Sequence, residues 1–378
     1  MNILVIANFF RPAYLAGGPV KSLQNLCDFL SKHSSVFVYT GCSDLDGSSL
    51  PVKRNLWLSV SPNLSLFYSS VNIFLYVFRL LNFIRKKDVI YINSFFSFKY
   101  SIIPIFLCYF FASGKVFLAP RGELLSGALC KSPFRKKIYI SIFKLFKFMK
   151  YVEFHATSVS ELNAIHNLFG CRVRVFRIEN LVNNQYAQNF PARSEILKLA
   201  FVGRIVPHKN LAFAIQAISK SPNPVSLYVW GFVEDREYWV YCQNLIEALP
   251  SDKNVYYNGV LAYNRVIQEI SSCDAFILPT KGENFGHSIF EAASAGLPLI
   301  ISDNTPWKCL KDYGVGWDLS LSDPQEFSNA INELYSLSVS DYNSLRFHVL
   351  EWAKDISSQS HIEFLIYSTF ILFQANYE

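Results

Sequence analysis

Short apolar runs rich in β-branched and aromatic residues recur along the first half of the chain, separated by polar or helical segments. One separating segment, Val20–Leu30, has apolar positions at helical spacing. The runs span residues 2–7, 36–40, 88–92, 115–119, 152–157 and 172–178. Strand patterns that alternate with helical patterns are typical of a doubly wound parallel sheet. We therefore expect an α/β domain in this half.

The same alternation restarts after a polar, non-periodic segment at residues 183–195. Further strands are predicted at 197–203, 226–231, 254–259, 274–279 and 297–302, and helices at 209–220, 236–248, 264–272 and 286–295. The 378 residues, 51% of them apolar, are enough for two cores. We predict two α/β domains, residues 1–190 and 191–355, followed by 356–378 with an apolar helix, Ser357–Phe373.

Two apolar segments, 71–84 and 101–114, are shorter than the ~20 residues that a membrane-spanning helix needs. We therefore predict no transmembrane helix and expect both segments to pack as helices against a sheet, partly exposed to lipid. The chain starts directly in a strand pattern, without the features of a signal peptide. Eight scattered cysteines without a CxxC pair predict buried thiols in a reducing compartment rather than a zinc site or disulfides. These features predict a cytoplasmic protein.

Charge is distributed unevenly along the chain. Residues 1–190 hold 22 Lys and Arg against 8 Asp and Glu, a net of +14, whereas residues 191–378 hold 13 against 21, a net of −8. The densest basic stretch, 131–150, has seven cations and no acid: Lys131, Arg135, Lys136, Lys137, Lys144, Lys147 and Lys150. Its apolar residues Ile138, Ile142, Leu145, Phe146 and Met149 recur at helical spacing. Such a helix either lies on an anionic membrane or is a solvated face over a core stripe. Nucleic acid is disfavoured, because no nucleic-acid-binding module accompanies the patch.

Candidate chemistry is expected at the carboxyl ends of the strands, where doubly wound sheets bind ligands. Gly17 and Gly18 follow the first strand and precede a helix, an arrangement that suits an anion such as phosphate. This turn lacks the GxGxxG pattern, so a dinucleotide cofactor is disfavoured. Arg204 and Lys209 stand in the loop after the strand that ends near Gly203. They either neutralise a diphosphate or are two solvated surface charges.

The third candidate is the segment 280–302, which reads TKGENFGHSIFEAASAGLPLIIS. Glu283 precedes a predicted helix whose start is freed by Gly282 and Gly286, and Glu291 lies within that helix. A helix start offers unpaired N–H donors to an anion, and a carboxylate there accepts hydroxyl groups. We therefore favour a sugar nucleotide at this segment over a simple helix cap.

These motifs resemble the retaining GT-B glycosyltransferases of family 4, in particular those that build bacterial surface polysaccharides. The matching pieces run in order along almost the whole chain: GGP (17–19), APRGEL (119–124), FHATSVSE (154–161), RIENLV (177–182), GRIVPHKN (203–210) and GENFGHSIFEAASAGLP (282–298). The resemblance implies a GT-B architecture, with two doubly wound, Rossmann-like domains facing across a cleft. It also implies that the domain 1–190 binds the acceptor, that 191–355 binds the nucleotide-sugar, and that the last helix packs back on the first domain.

The resemblance implies a role for each matching residue. Arg204 and Lys209 would stabilise the leaving diphosphate, Glu283 would contact hydroxyls of the donor sugar, and Glu291 would hold the ribose. Further donor contacts would come from Gly17, Gly18, Asn284, Phe285, Gly286, His287 and Ser288. The family works without a bound metal, and no DxD motif stands where a metal–diphosphate bridge would need it. No cofactor is expected.

The chain departs from the family after the strand 88–92, where many members carry a histidine near the reacting centre. This chain has Tyr91, Asn93 and Ser94 in that region, so we take Arg121 and His155 as the acceptor-side candidates. In the retaining mechanism the donor phosphate itself can accept the proton of the acceptor, so no strong protein base is required.

The resemblance therefore implies transfer of a sugar, with retention, from a nucleotide-sugar to a lipid-linked glycan acceptor. The product would belong to lipopolysaccharide O-antigen, capsule or exopolysaccharide, made at the inner face of a bacterial plasma membrane. The basic first half suits peripheral attachment to such a membrane. Two alternatives remain: a nucleotide-sugar epimerase of the same fold, and a catalytically silent binding subunit of a polysaccharide assembly complex.

Overall fold

A computed structural model describes residues 1–129, 133–182, 185–262, 264–358 and 360–371. The chain divides into two compact units. Unit 1 contains Met1–Leu181 together with residues 360–371, and unit 2 extends from Val182 to Ser358.

Unit 1 is built on a sheet whose described strands have the order β3-β4-β2-β1-β5-β6-β7-β8. Neighbouring strands are parallel, except that β3 runs antiparallel to β4. The strands are β1 (Asn2–Ala7), β2 (Ser35–Gly41), β3 (Trp57–Ser61), β4 (Leu64–Ser69), β5 (Val89–Asn93), β6 (Lys115–Ala119), β7 (Glu153–Ala156) and β8 (Val175–Arg177). Because the central strands are buried on both faces, they read as continuous apolar runs.

Helices cover both faces of this sheet. They are α1 (Gly18–Leu30), α2 (Ile73–Ile84), α3 (Ile103–Phe111), α4 (Ser126–Leu129), α5 (Pro133–Leu145), α6 (Val159–Phe169) and, from the end of the chain, α13 (Ser360–Phe370). A π-helix, Phe98–Ile102, leads into α3, and a 3₁₀ turn, Phe148–Lys150, follows α5. The core on one face contains Leu23 of α1 and Ile366 of α13. The core on the other face contains Leu80 of α2, Ile105 of α3 and Phe143 of α5.

Unit 2 has a parallel sheet with the order β11-β10-β9-β12-β13-β14 among the described strands. The strands are β9 (Leu197–Val202), β10 (Val225–Trp230), β11 (Lys253–Tyr257), β12 (Ala275–Leu278), β13 (Leu299–Ser302) and β14 (Gly316–Leu319). The helices are α7 (Leu211–Ser219), α8 (Arg236–Glu247), α9 (Val266–Ile270), α10 (His287–Ser294), α11 (Pro324–Ser336) and α12 (Val339–Ser357). The two doubly wound parallel sheets confirm the predicted fold class.

The helix predicted within 131–150 forms as α5, and its buried side chains are not those of the periodic set named above. Its buried side chains are Tyr139, Ile140 and Phe143, whereas Ile138, Leu145 and Phe146 are exposed. Both sets recur at helical spacing, so periodicity did not decide between them. Lys131 lies outside the described residues. Of the five apolar residues in the periodic set, Ile138, Leu145 and Phe146 are exposed, Ile142 is half-buried, and Met149 packs partly buried against the core.

The helix predicted at Ser357–Phe373 is shorter and begins later, because α12 ends at Ser357 and α13 spans Ser360–Phe370. Positions 372 and 373 lie outside the described residues. Across those that are described, no helix is long and apolar enough to cross a membrane.

Candidate functional site

Two loops of unit 2 meet at the carboxyl edge of its parallel sheet. The loop after β9 carries Arg204 and Lys209, and the loop after β12 carries Glu283. The Lys281 backbone N–H donates to the His208 carbonyl at 2.9 Å, and the two loops are therefore joined. The His208 ring is 2.7 Å from the Gly282 carbonyl; because a carbonyl only accepts, Nε2 carries the proton.

Arg204 and Lys209 each have a carboxylate partner. The Lys209 ammonium donates to the Glu283 carboxylate, and both side chains are largely buried, at 16% and 11% exposed. The Arg204 guanidinium donates to Glu234, in a more exposed pair. The structure thus brings Lys209 and Glu283 together as a compact ion pair and turns Arg204 toward a carboxylate that follows β10.

The start of α10 lies beside this ion pair and provides N–H donors. Gly286 is the N-cap residue, directly before the helix, and has φ of 83°, a left-handed conformation that favours glycine. A Cβ there would lie 2.9 Å from Ile289 Cδ1 and 3.2 Å from Trp307 Nε1. His287 and Ser288 form the first turn, where amide groups favour anions, and Glu291 is buried one turn further along.

Trp307 supports the loop that holds Asn284 and Phe285. Its indole N–H donates to the Phe285 carbonyl at 2.6 Å, and its ring stacks against Phe290 and meets Phe285 edge-on. Neither Trp307 nor Glu234 was among the predicted site residues. Both follow the carboxyl ends of parallel strands, β13 and β10, and that position was the signal that could have identified them.

A second polar cluster surrounds Arg121 at the carboxyl edge of the unit 1 sheet. The Arg121 guanidinium donates to the side-chain oxygens of Asn93 and Asn180 and, at 2.8 Å, to the Tyr91 hydroxyl. All three acceptors are neutral. Arg121 has φ of 54°, so this non-glycine residue is held in the left-handed region. Three hydrogen bonds therefore fix the direction of the guanidinium.

His155 is buried beneath this cluster, and both of its ring nitrogens are occupied. Nε2 donates to the Ile178 carbonyl at 2.8 Å, so Nδ1 accepts from the Tyr91 hydroxyl at 2.7 Å. The pKa of His155 is lowered to about 3, mainly by burial and to a lesser extent by the positive charge of Arg121. Burial also raises the pKa of Tyr91, which keeps its phenol protonated. This geometry suits a neutral ring that positions Tyr91 and Arg121, rather than a general base.

The two remaining predicted residues of unit 1, Gly17 and Gly18, are at the same edge, because the loops after parallel strands lie together. Gly17 precedes α1 with φ of 69° and Gly18 begins it, after the carboxyl end of β1. Glu123 accepts from the backbone N–H groups of Phe95 and Phe96 at 2.7 and 2.8 Å, and burial raises its pKa against the effect of these bonds. Glu123 therefore holds the loop after β5. Among the described residues, no group of three or more His, Cys, Asp or Glu side chains is placed to hold a metal ion.

Comparison with known proteins matches part of the chain to a family. Residues 183–346, most of unit 2, match the family model of glycosyl transferases group 1. No curated protein matches the chain.

Solved structures match the chain along almost its whole length. HepE of Anabaena, in complex with UDP-glucose, is 16% identical, with 98% of this chain and 99% of that chain covered and a TM-score of 0.73. Sucrose-phosphate synthase from Thermosynechococcus elongatus is 16% identical, with 99% of each chain covered and a TM-score of 0.77. An E. coli structure described as trehalose-6-phosphate bound with UDP-2-fluoro glucose is 11% identical, with 97% and 98% covered and a TM-score of 0.68. The chain therefore has the GT-B fold, and its unit 2 matches the glycosyl transferases group 1 family.

Proposed function

We propose that this protein is a glycosyltransferase that takes its sugar from a nucleotide-sugar donor bound by unit 2. The observation that carries the proposal is the Lys209–Glu283 ion pair beside the start of α10, within the segment that matches the family. Similar structures are complexes with UDP-glucose, with UDP and glucose, and with UDP-2-fluoro glucose. The proposed donor is a ligand of the same chemical class.

Donor binding exchanges one set of ionic partners for another. In the structure, the carboxylates of Glu283 and Glu234 neutralise Lys209 and Arg204. A diphosphate carries two charges and several acceptor oxygens, so it replaces both carboxylates as the partner of these cations. Glu283 is then free to accept hydroxyl groups of the donor sugar, while the N–H groups at the start of α10 face the phosphates.

Asn284, Phe285, Gly286, His287 and Ser288 would shape the sugar pocket, and the buried Glu291 would hold the ribose. Charge neutralisation by Arg204 and Lys209 would stabilise the leaving diphosphate in the transition state. We propose a retaining reaction without a metal ion, in which the donor phosphate accepts the proton of the acceptor hydroxyl. The bonded, buried ring of His155 supports a mechanism without a histidine base.

The proposed acceptor is a lipid-linked glycan, bound by unit 1 at the cytoplasmic face of a bacterial membrane, for synthesis of a surface polysaccharide. The net charge of +14 over residues 1–190 supports an anionic surface as the partner of this half. Arg121 is the proposed acceptor-side cation, because its guanidinium is held in place by three neutral acceptors.

A transfer assay tests the proposal. Radiolabelled UDP-, GDP-, ADP- and CMP-sugars are incubated with the protein and a bacterial membrane fraction as the acceptor source. We expect label from one donor to enter the lipid-extractable fraction with the wild type, and to stay out of it with Lys209→Ala. Lys220→Ala removes an ion pair with Asp323 that is far more exposed, and this control is expected to retain transfer.

The same assay separates the alternatives. Conversion of the sugar while it remains attached to the nucleotide, without any acceptor, would identify an epimerase. Label that never leaves the donor would favour a silent binding subunit. Either outcome would contradict the proposed transfer.

A further inference from the structure

Three helices of unit 1 form one layer over the same face of its sheet. Tyr76 of α2, Ile105 of α3 and Phe143 of α5 all belong to a single core that also contains strand residues of β1 and β5. Helices α2 and α3 pack against each other. The ring centroid of Phe106, in α3, lies 5.6 Å from that of Phe146, which directly follows α5. The sides of these helices that face away from the sheet therefore belong to one continuous surface.

This outer surface is strongly apolar. Seven of the nine exposed phenylalanines among the described residues lie on it: Phe74, Phe78, Phe98, Phe110, Phe111, Phe134 and Phe146. Phe74 is 83% exposed, Phe134 76% and Phe110 64%. Scattered exposed apolar residues are normal in soluble proteins, but a contiguous group of large ones marks an interaction surface.

The charges on these segments have one sign. Residues 71–87, 94–114 and 133–152 contain eleven Lys and Arg and no Asp or Glu. One of these cations lies against an exposed ring, because the Arg85 guanidinium is 5.2 Å from the centroid of Phe111. Long basic side chains can cover apolar surface while their charged ends reach toward water or lipid headgroups.

The exposed phenylalanines and the positive charges together indicate which kind of partner this surface binds. A second copy of the chain would bring the same cations opposite one another, and that repulsion disfavours self-association through this surface. An anionic bilayer offers acyl chains for phenylalanines and negative headgroups for lysines and arginines. Attraction of basic residues to such a surface is worth ~1 kcal/mol per residue.

We propose that the outward faces of α2, α3 and α5 form a membrane-docking face that inserts phenylalanine side chains into an anionic lipid surface. The basic residues provide the attraction to headgroups, and the phenylalanines provide a component that salt does not screen. This inference extends the proposed function, because it states which surface of unit 1 meets the membrane that holds the acceptor.

The test is co-sedimentation of the full chain with vesicles of phosphatidylcholine alone or with 30% phosphatidylglycerol. We expect the protein to bind the anionic vesicles at least tenfold more strongly than the neutral ones. Part of the binding to the anionic vesicles is expected to persist in 0.5 M NaCl. The double variant Phe74→Ser/Phe78→Ser is expected to lose at least tenfold in affinity, because two largely exposed rings can no longer insert. The control Phe347→Ser/Phe364→Ser changes two rings that are 57% and 61% exposed elsewhere, and is expected to bind like the wild type.

Several outcomes would overturn the inference. These are no binding to either vesicle, equal loss in the control variant, or a dimer in light scattering that Phe74→Ser/Phe78→Ser dissociates. Nucleotide-sugar binding by unit 2 is measured on the same samples. Vesicle binding without donor binding would refute the glycosyltransferase alone, whereas donor binding without vesicle binding would refute the docking face alone.

Discussion

Replacing His155 with Gln tests whether this histidine is a buried neutral support rather than a base. The folded protein keeps His155 unprotonated, because its pKa is lowered from 6.5 to about 3. The unfolded chain binds a proton below pH 6.5, so lowering the pH through the range from 6.5 to 3 favours unfolding. The linkage amounts to about 1.4 kcal/mol per pH unit, or roughly 2.5 kcal/mol lost between pH 7 and pH 4.5. A glutamine amide can accept from Tyr91 and donate to Ile178 without titrating.

Hydrogen exchange of unit 1 measures this loss directly. Protection of β6 and β7 is followed by mass spectrometry from pH 7 to pH 4.5, and wild type and variant are compared at each pH so that intrinsic exchange cancels. Over this pH range, the free energy of opening is expected to fall by ~2.5 kcal/mol more in the wild type than in His155→Gln. His33→Gln, at an exposed histidine of the same unit, controls for the exchange of residue type. If protection falls equally with pH in the wild type and in His155→Gln, the inference that His155 is a buried neutral ring is refuted.

Three further substitutions test unit 2. Arg346→Met leaves the buried carbonyls of Ala295 and Gly296 without their donor, and we expect the free energy of unfolding to fall by ~3 kcal/mol. Urea unfolding followed by tryptophan fluorescence measures this loss, because five of the six tryptophans are in unit 2. Gly286→Ala, where φ is 83° and a Cβ would lie 2.9 Å from Ile289, is expected to weaken donor binding at least tenfold in calorimetry. The control Gly314→Ala has a similar φ of 64°, but its Cβ would only come within van der Waals contact of His348, at 4.0 Å, so unchanged binding there would assign the effect to the site. Trp307→Phe keeps a ring but loses the bond to the Phe285 carbonyl, and we expect donor affinity to fall several-fold with little loss of stability; unchanged affinity would show that this bond does not position the loop.

The parallel strands were predictable because burial on both faces makes them continuous apolar runs, as in β1 and β12. The antiparallel pair at the edge was missed. Strand β3 has the sequence WLSVS, contains no fully buried residue, and lacks the apolar run by which the central strands were recognised. Strand β14 and helices α11 and α12 were also not among the predicted elements.

The loops that carry the site in unit 2 were predictable from the positions of strand ends, but their pairings were not. The sequence places Lys209 and Glu283 at the ends of β9 and β12, which are neighbours in the sheet. The pairing of Arg204 with Glu234 depends on how two loops curve, which strand order alone does not specify. The environment of Arg121 likewise requires side chains from β5 and from the segment after β8, and that meeting is a property of the packed core.

The most direct test of the central proposal is a thermal-shift measurement of the full chain with UDP-, GDP-, ADP- and CMP-sugars, with and without EDTA. We predict that one class of sugar nucleotide stabilises the wild type by about 2.7 kcal/mol at 100 times its Kd, and that EDTA leaves this shift unchanged. Lys209→Ala and Glu283→Ala are predicted to abolish the shift while retaining the folded sheet. No shift with any sugar nucleotide, or an equal shift in both variants, would contradict a donor site at this ion pair.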